Sequence, residues 1–382
     1  MTPTQIVRLY RKPPRDRRPS EVIAPQFLKT DCEKPDAAPP NAGLSFRTMA
    51  PDVFDAVLRP DVLGILITSK CNIECRHCCN DSAPTRDATH SYANVTQLLA
   101  AASELASIRE IGISGGEPFM YLPLLRSVVR LSVDSGYTAS VTTNGFWAKS
   151  MVAAQRTMAL LRGDGLSAVH ISTSEFHREF LDRRIVPQAV RAAIDAGIRP
   201  TVNVVSSRDY GLDEVRTELG SMANQVTFVV MPCLPSGRPG KQIADKEFVR
   251  ELDAPGGDCS HDFKKLAIDQ HGNVFPCCSP GGFTAPLRLG NIHEPNSGSK
   301  AQAIALPRLL SILHEVGPGF FLPFVRAAYP QDPTLEKFSD KCHLCHVLLS
   351  DPKYTAVVHD ASEHLFQSLE KSVEKRPLSD RC

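Results

Sequence analysis

The sequence predicts an α/β fold, a partial (β/α)6 barrel followed by a small C-terminal lobe with paired cysteines. Apolar, β-branched runs alternate with helical patterns from residue 62 to residue 231, which favours a parallel sheet. Polar, glycine-containing segments follow several strands, and the alternation stops after Pro235 in a stretch rich in Gly, Pro and charge. Such barrels carry their chemistry at the C-terminal ends of the strands, so these segments are the candidate site.

The predicted elements follow one another at short spacing. Strands are predicted at 62–68, 109–114, 138–143, 168–172, 199–205 and 225–231, and helices at 94–107, 122–135, 148–161, 185–196 and 212–222. In the lobe, Gly272 is the turn of a predicted hairpin with strands at 267–269 and 273–275, and helices are predicted within 299–329 and at 361–375.

The composition of the chain excludes some classes of function and indicates where its domains begin and end. The 382 residues carry a net charge of +1, which points to neither a nucleic acid nor a membrane as partner. No apolar run approaches the ~20 residues that span a bilayer, and we expect a cytoplasmic protein. Residues 1–60 hold ten of the 30 prolines and predict an extended, poorly ordered arm. The further divisions are a core at 61–240, a lobe at 241–350, and a helix and tail at 351–382.

Three cysteines follow the first predicted strand. Cys71, Cys75 and Cys78 form a C-x3-C-x2-C pattern on one loop. Three thiolates on a short loop can hold three irons of a 4Fe–4S cubane and leave the fourth iron open to a small molecule. The alternatives are buried structural thiols or a zinc site, although zinc loops more often use paired C-x2-C knuckles.

This pattern and four later segments resemble the radical S-adenosylmethionine (SAM) superfamily, over residues 60–350. The resemblance implies that the open iron binds SAM and that a 5′-deoxyadenosyl radical abstracts hydrogen from substrate. Loops after strands two, three and four and the turn after strand six are similar to family segments that contact SAM. They contribute the candidate cofactor-binding residues Gly115, Gly116, Glu117, Thr143, Asn144, Ser172, Ser174 and Arg238. We expect Arg238 to contact the SAM carboxylate or a substrate anion.

Two further residues near these loops are candidate catalytic residues. His177 follows strand four in Ser172-Thr173-Ser174-Glu175-Phe176-His177, and the alternative is a structural histidine. Cys233 follows strand six and is a candidate hydrogen-atom donor to a substrate radical. Its alternatives are a packing residue and an additional cluster ligand.

A second cysteine set lies in the lobe. Cys259 and Cys277 precede the pair Cys342 and Cys345, and the order resembles a twitch domain, the short relative of the SPASM domain. The resemblance implies one auxiliary 4Fe–4S cluster, and a zinc ribbon is the alternative. Whether Cys278 or Cys382 is also a ligand stays open.

The sequence therefore predicts a radical SAM enzyme with two 4Fe–4S clusters. The expected substrate is a peptide or a small natural-product precursor, which would be matured, oxidised or epimerised. An electron donor such as flavodoxin or ferredoxin is the expected partner. The alternative function is a non-catalytic zinc or iron–sulfur protein.

Overall fold

The computed structural model describes residues 45–46, 53–294 and 300–374, which belong to one compact unit. Most of the predicted arm, and Cys382, lie outside the described residues. No helix in these described ranges is long and apolar enough to cross a bilayer.

Six parallel strands form the core, as the alternating pattern predicts. They are β1 (Val62–Thr68), β2 (Glu110–Gly115), β3 (Thr138–Thr143), β4 (Ala168–Thr173), β5 (Arg199–Ser206) and β6 (Thr227–Pro232). Each strand pairs with its sequence neighbour, and β6 lies at one edge of the sheet, five places from β1. The barrel is therefore open, which confirms the partial (β/α)6 fold.

The lobe adds three strands to the same sheet. Strand β7 (Lys265–Ile268) pairs in parallel with the free side of β1, from Val62 opposite Lys265 to Ile65 opposite Ile268. Strands β8 (Asn273–Phe275) and β9 (Gly290–Asn291) follow in antiparallel order. Gly272 has a φ of +82° at the β7–β8 turn, where glycine has no Cβ to clash. One nine-stranded sheet thus continues across the predicted boundary at residue 240.

Eleven α-helices lie in the described ranges. The core has α1 (Tyr92–Ala102), α2 (Leu122–Asp134), α3 (Met151–Gly163), α4 (Glu175–Arg178), α5 (Ile185–Asp195), α6 (Leu212–Leu219) and α7 (Pro239–Gln242). The lobe has α8 (Lys300–Val316), α9 (Leu322–Ala328), α10 (Lys341–Ser350) and α11 (Pro352–Glu374).

Capping explains where the predicted helix bounds were wrong. Helix α3 begins at 151 rather than 148 because the Ser150 side chain accepts a hydrogen bond from the backbone of Ala153. Helix α1 begins at 92 rather than 94 because Ser91 caps it in the same way, and it ends at 102 rather than 107. Helix α11 begins at 352, nine residues before its predicted start, and Pro352 suits a first turn because its φ is fixed.

Candidate active site

The cysteine loop leaves the C-terminal end of β1 and is fixed along its length. Cys71 donates its backbone N–H to the carbonyl of Ala83 at 3.2 Å, and Cys78 donates to the carbonyl of Cys75 at 3.2 Å. Cys71 and Cys75 are buried, whereas Cys78 is half-buried. The loop therefore presents three thiols from one short, closed segment.

The loop after β2 packs directly against the end of β1. Gly116 donates to the carbonyl of Thr68 at 2.6 Å, and Glu117 donates to the carbonyl of Lys70 at 2.8 Å. A Cβ on Gly115 would lie 2.4 Å from the Thr68 oxygen, and a Cβ on Gly116 would lie 2.2 Å from the Lys70 oxygen. Two glycines are needed here because any side chain would push the cysteine loop away.

Glu117 binds the loop after β3. Its fully buried carboxylate accepts hydrogen bonds from the Thr143 hydroxyl, the Asn144 backbone and the Phe119 backbone, at 2.8, 2.8 and 3.1 Å. Burial raises the pKa of Glu117 to about 7, although the three donors act in the opposite direction. The Asn144 amide in turn donates to the Asn72 side chain at 2.9 Å, which ties this loop to the cysteine loop.

The loop after β4 carries His177 on the short helix α4. The Ser174 hydroxyl accepts from the His177 backbone at 3.2 Å and lies 2.8 Å from its Nδ1. This contact fixes the ring and leaves Nε2 for other partners. Burial lowers the pKa of His177 to about 4, so its imidazole is neutral at pH 7.

Arg238 holds the cysteine loop from the turn after β6. Its buried guanidinium donates to the carbonyls of Cys75 and Ser82 at 2.8 and 2.7 Å and to the Asp81 carboxylate at 3.1 Å. Arg238 does not line the cavity described next. In this structure it stabilises the loop, and its predicted contact with a carboxylate of SAM or substrate stays a prediction.

One cavity brings most of the predicted residues together. Ten of them line it: Cys71, Cys75, Cys78, Gly115, Gly116, Thr143, Asn144, Ser172, His177 and Cys233. Glu117 and Ser174 lie behind it, each bonded to residues that line it. The cysteine loop after β1, the ends of strands β2 to β6, the turn after β6 and Pro280 of the lobe therefore converge on one space.

The thiols of this cavity are poor acids in the absence of a cluster. Burial is the largest cause, and it raises the pKa of Cys71 to about 11 and that of Cys233 to about 12. Cys75 shifts in the same direction, from burial and then from the neighbouring Cys78 and Cys71 thiols. At pH 7 Cys233 therefore carries an S–H group.

The chemistry of the three loop thiols suits an iron–sulfur cubane. The sulfur atoms of Cys71, Cys75 and Cys78 do not all lie within 4.8 Å of one another. A cubane spreads its thiolates over separate irons, and soft thiolates suit iron–sulfur ligation. The residues present therefore fit such a cluster.

The lobe cysteines converge on the turn Pro280–Gly282. A Cβ on Gly282 would lie 2.3 Å from the Cys277 sulfur, and a Cβ on Gly281 would lie 2.2 Å from the Cys342 carbonyl oxygen. The Cys345 sulfur is 3.8 Å from the Gly281 carbonyl oxygen. Helix α10 presents the last two thiols from adjacent turns.

Cys259 belongs to the same group of thiols. Burial first, and then the charges of Cys277, Cys259 and Cys342, raise the pKa of Cys345. The four sulfur atoms do not form a group in which all lie within 4.8 Å of one another. Cys278 is exposed beside them.

The sequence interpretation missed three residues of this site. His77 lies in the cysteine loop and lines the cavity, Cys79 lines it beside Cys78, and Asn72 bonds Asn144. The sequence indicates these residues only by their position, since all three lie within or directly beside the C-x3-C-x2-C segment.

Comparison with known proteins agrees with this geometry. Residues 65–218 match the family described as Radical SAM superfamily, which includes the loops after β1 to β4. "Putative peptide biosynthesis protein YydG" of Bacillus subtilis strain 168 is 22% identical over 75% of this chain and 92% of its own length. The GTP 3',8-cyclase of Chlorobaculum tepidum is 30% identical over 41% of this chain. The match spans 48% of that cyclase, so this chain aligns with about half of its length.

Two solved structures align with most of this chain. A structure of anSMEcpe with bound AdoMet and a Cp18Cys peptide aligns with 82% of this chain and 99% of its own, at 14% identity and a TM-score of 0.47. Streptococcus suis SuiB bound to S-adenosylmethionine aligns with 77% of this chain and 76% of its own, at 15% identity and a TM-score of 0.40.

Proposed function

We propose, from the match of residues 65–218 to the radical SAM superfamily, that the chain is a peptide-modifying enzyme in which Cys233 returns a hydrogen atom to the substrate. Support for a peptide substrate comes from the relative named as a peptide biosynthesis protein, which aligns over most of both chains. Support for the hydrogen transfer is one observation, that Cys233 lines the same cavity as the three loop cysteines.

The loop residues have distinct proposed roles. Cys71, Cys75 and Cys78 would hold the cluster, while the glycines after β2 let the backbone approach SAM closely. When bound, the cluster and SAM would supply a radical that abstracts hydrogen from a substrate carbon. Asn144, Thr143 and Ser172 offer hydrogen-bonding groups in the cavity for the polar parts of SAM. His177, neutral and held by Ser174, would orient the substrate.

Cys233 would complete the reaction. Its S–H bond breaks, the hydrogen atom joins the substrate carbon, and a sulfur radical stays on Cys233. That sulfur is restored by one electron from the external donor and one proton from solvent. Its raised pKa keeps the thiol protonated at pH 7, which hydrogen-atom donation requires. Delivery from the face opposite to abstraction would invert the carbon, so we propose an epimerase.

Incorporation of deuterium from solvent and one substitution at Cys233 test this function. Candidate peptides from short reading frames beside the gene would be incubated with SAM and dithionite in deuterated water. We expect one deuterium at the inverted carbon with the wild type. The Cys233→Ala variant should still cleave SAM and hold its iron but yield no inverted product. A wild-type product with a new unsaturation or crosslink and no deuterium would instead identify an oxidising enzyme.

We also infer an auxiliary 4Fe–4S cluster on the lobe cysteines Cys259, Cys277, Cys342 and Cys345. The convergence of Cys277, Cys342 and Cys345 on one turn supports it. Pro280, which begins that turn, also lines the cavity, so such a cluster would lie beside the substrate. An electron donor such as flavodoxin or ferredoxin would supply both clusters.

Iron content tests the auxiliary cluster. The fully reconstituted wild type should hold about eight irons, as two cubanes require. Replacing Cys342 and Cys345 together with alanine should lower the content to about four and leave SAM cleavage to 5′-deoxyadenosine in place. An unchanged iron content in the double variant contradicts this assignment.

A further inference from the structure

Two histidines lie beside one of the loop thiols. The Cys75 sulfur and one ring nitrogen each of His77 and His177 all lie within 4.8 Å of one another. The sulfur atoms of Cys71, Cys75 and Cys78 do not form such a group, in which all atoms lie within 4.8 Å of one another. A cubane bound by thiolates needs neither histidine as a ligand.

The orientations of both rings suit a shared ion. Ser174 lies 2.8 Å from the Nδ1 of His177, so Nε2 is the atom left to bind. His77 stacks on Phe176 with centroids 5.0 Å apart and meets His177 edge-on at 4.7 Å. The Nδ1 of His77 is buried and has no hydrogen-bond partner. Buried ring nitrogens normally have a partner, and a metal ion would supply one.

We propose that the cluster-free chain binds one zinc ion through Cys75, His77 and His177, with the fourth position open to the cavity. One thiolate and two imidazoles are ordinary zinc ligands, and three protein ligands with an open position are typical of non-structural zinc sites. Ser174 would orient His177 from behind, as partners of metal-bound histidines do.

The required movement is small. Zinc bonds of 2.0 to 2.3 Å would bring the three ligand atoms to about 3.3 to 3.6 Å from one another, so each atom would move by at most about 1 Å. Both histidines have side-chain torsions that allow this shift, and the stacked Phe176 would hold the His77 ring in plane.

Zinc and the cluster would exclude each other because both use Cys75. A zinc-bound loop is then a stable, inactive form of the chain, and cluster assembly must displace the ion. The zinc site itself uses no property of the proposed reaction, so it can be tested whether or not the peptide chemistry is correct.

Cobalt replaces zinc as a visible probe. The full-length chain, stripped of iron by a chelator under reducing and anaerobic conditions, would be titrated with cobalt chloride. Tetrahedral cobalt with a thiolate ligand absorbs in the visible range. The lobe cysteines can also take up cobalt, so the site is defined by the difference between the wild type and variants.

The variants separate histidine ligation from thiol binding. His177→Gln and His77→Phe should each lower the cobalt content by one equivalent per chain and remove the matching absorption, and Cys75→Ala should do the same. The matched control is Cys71→Ala, which removes a cluster cysteine but should keep this cobalt. His77→Phe keeps an aromatic ring on Phe176, so loss of folding is not its expected effect.

Two results overturn the proposal. One is cobalt absorption that is unchanged in both histidine variants, which would make the rings packing residues only. The other is cobalt uptake at this site after the SAM-binding cluster has been reconstituted. Zinc should displace the cobalt signal in the cluster-free chain. Failure to assemble any cluster would contradict the proposed function and leave the cobalt result intact.

Discussion

Replacing Arg238 with methionine should release the cysteine loop. Arg238 is 3% exposed and donates to two buried carbonyls, those of Cys75 and Ser82, and to Asp81. Methionine keeps the apolar stem but leaves the Ser82 carbonyl without its donor, at a cost of about 1–3 kcal/mol. The Cys75 carbonyl keeps the hydrogen bond from the Cys78 backbone at 3.2 Å and loses only the one from Arg238, at a cost of about 1 kcal/mol. Asp81 is partly exposed and can turn to water. We therefore expect the free energy of unfolding to fall by about 3 kcal/mol.

Urea unfolding of the cluster-free chain measures this loss, and iron retention after reconstitution measures its effect on the site. The matched control is Arg86→Met, which removes an ion pair with the same Asp81 on the exposed side of the loop. That pair should contribute about 0–1 kcal/mol. Equal midpoints and equal iron retention in the two variants would refute the argument that Arg238 stabilises the loop.

Three further predictions test other parts of the site. The variants Cys71→Ala, Cys75→Ala and Cys78→Ala should each fail to form 5′-deoxyadenosine from SAM with dithionite as reductant. SAM cleavage at the wild-type rate in any one of them would rule out this cluster site. Gly282→Ala places a Cβ against the Cys277 sulfur and should lower the iron content by about four. The control is Gly163→Ala, whose Cβ meets nothing within 4 Å, and it should leave the iron content unchanged. Equal iron contents in the Gly282 and Gly163 variants would contradict the packing argument. In the cluster-free chain, the raised pKa of Glu117 means that the folded state binds a proton more tightly than the unfolded state. Stability from this group is present below the unfolded pKa of 4.5 and is lost, by about 3 kcal/mol, as the pH rises to about 7. In urea unfolding, Glu117→Gln should reduce the fall in the free energy of unfolding between pH 4.5 and pH 7. An equal fall in the wild type and the variant would contradict the raised pKa of Glu117.

The sequence predicts the core strands to within about two residues. Buried parallel strands appear as continuous apolar runs, so β1 and β3 have their predicted bounds. Helix ends were less accurate, because Ser91 and Ser150 act through side-chain caps that hydrophobic spacing does not detect. Helix α10 was missed since its ten residues carry two cysteines and little amphipathic pattern.

The sequence predicts the part of the candidate site that is formed by residues directly after the parallel strands. The three loop cysteines and the glycines after β2 lie together in the structure because parallel strands end at one edge. The partners of Arg238 could not be read from the sequence, because the contact joins residues more than 150 positions apart. His77 was overlooked for a similar reason, since its meaning depends on His177, which β4 brings to the same place.

The pairing of β7 with β1 has a consequence for how the chain can be divided. A fragment that stops at residue 240 would contain the whole family-matched segment but would leave the backbone of β1 without its second partner. An uncovered, apolar strand is a template for pairing with another chain. Such a fragment should self-associate when expressed alone, and addition of a separate lobe fragment should suppress this. In this fold the lobe acts as a cover for the first strand of the barrel, independently of any metal that it binds.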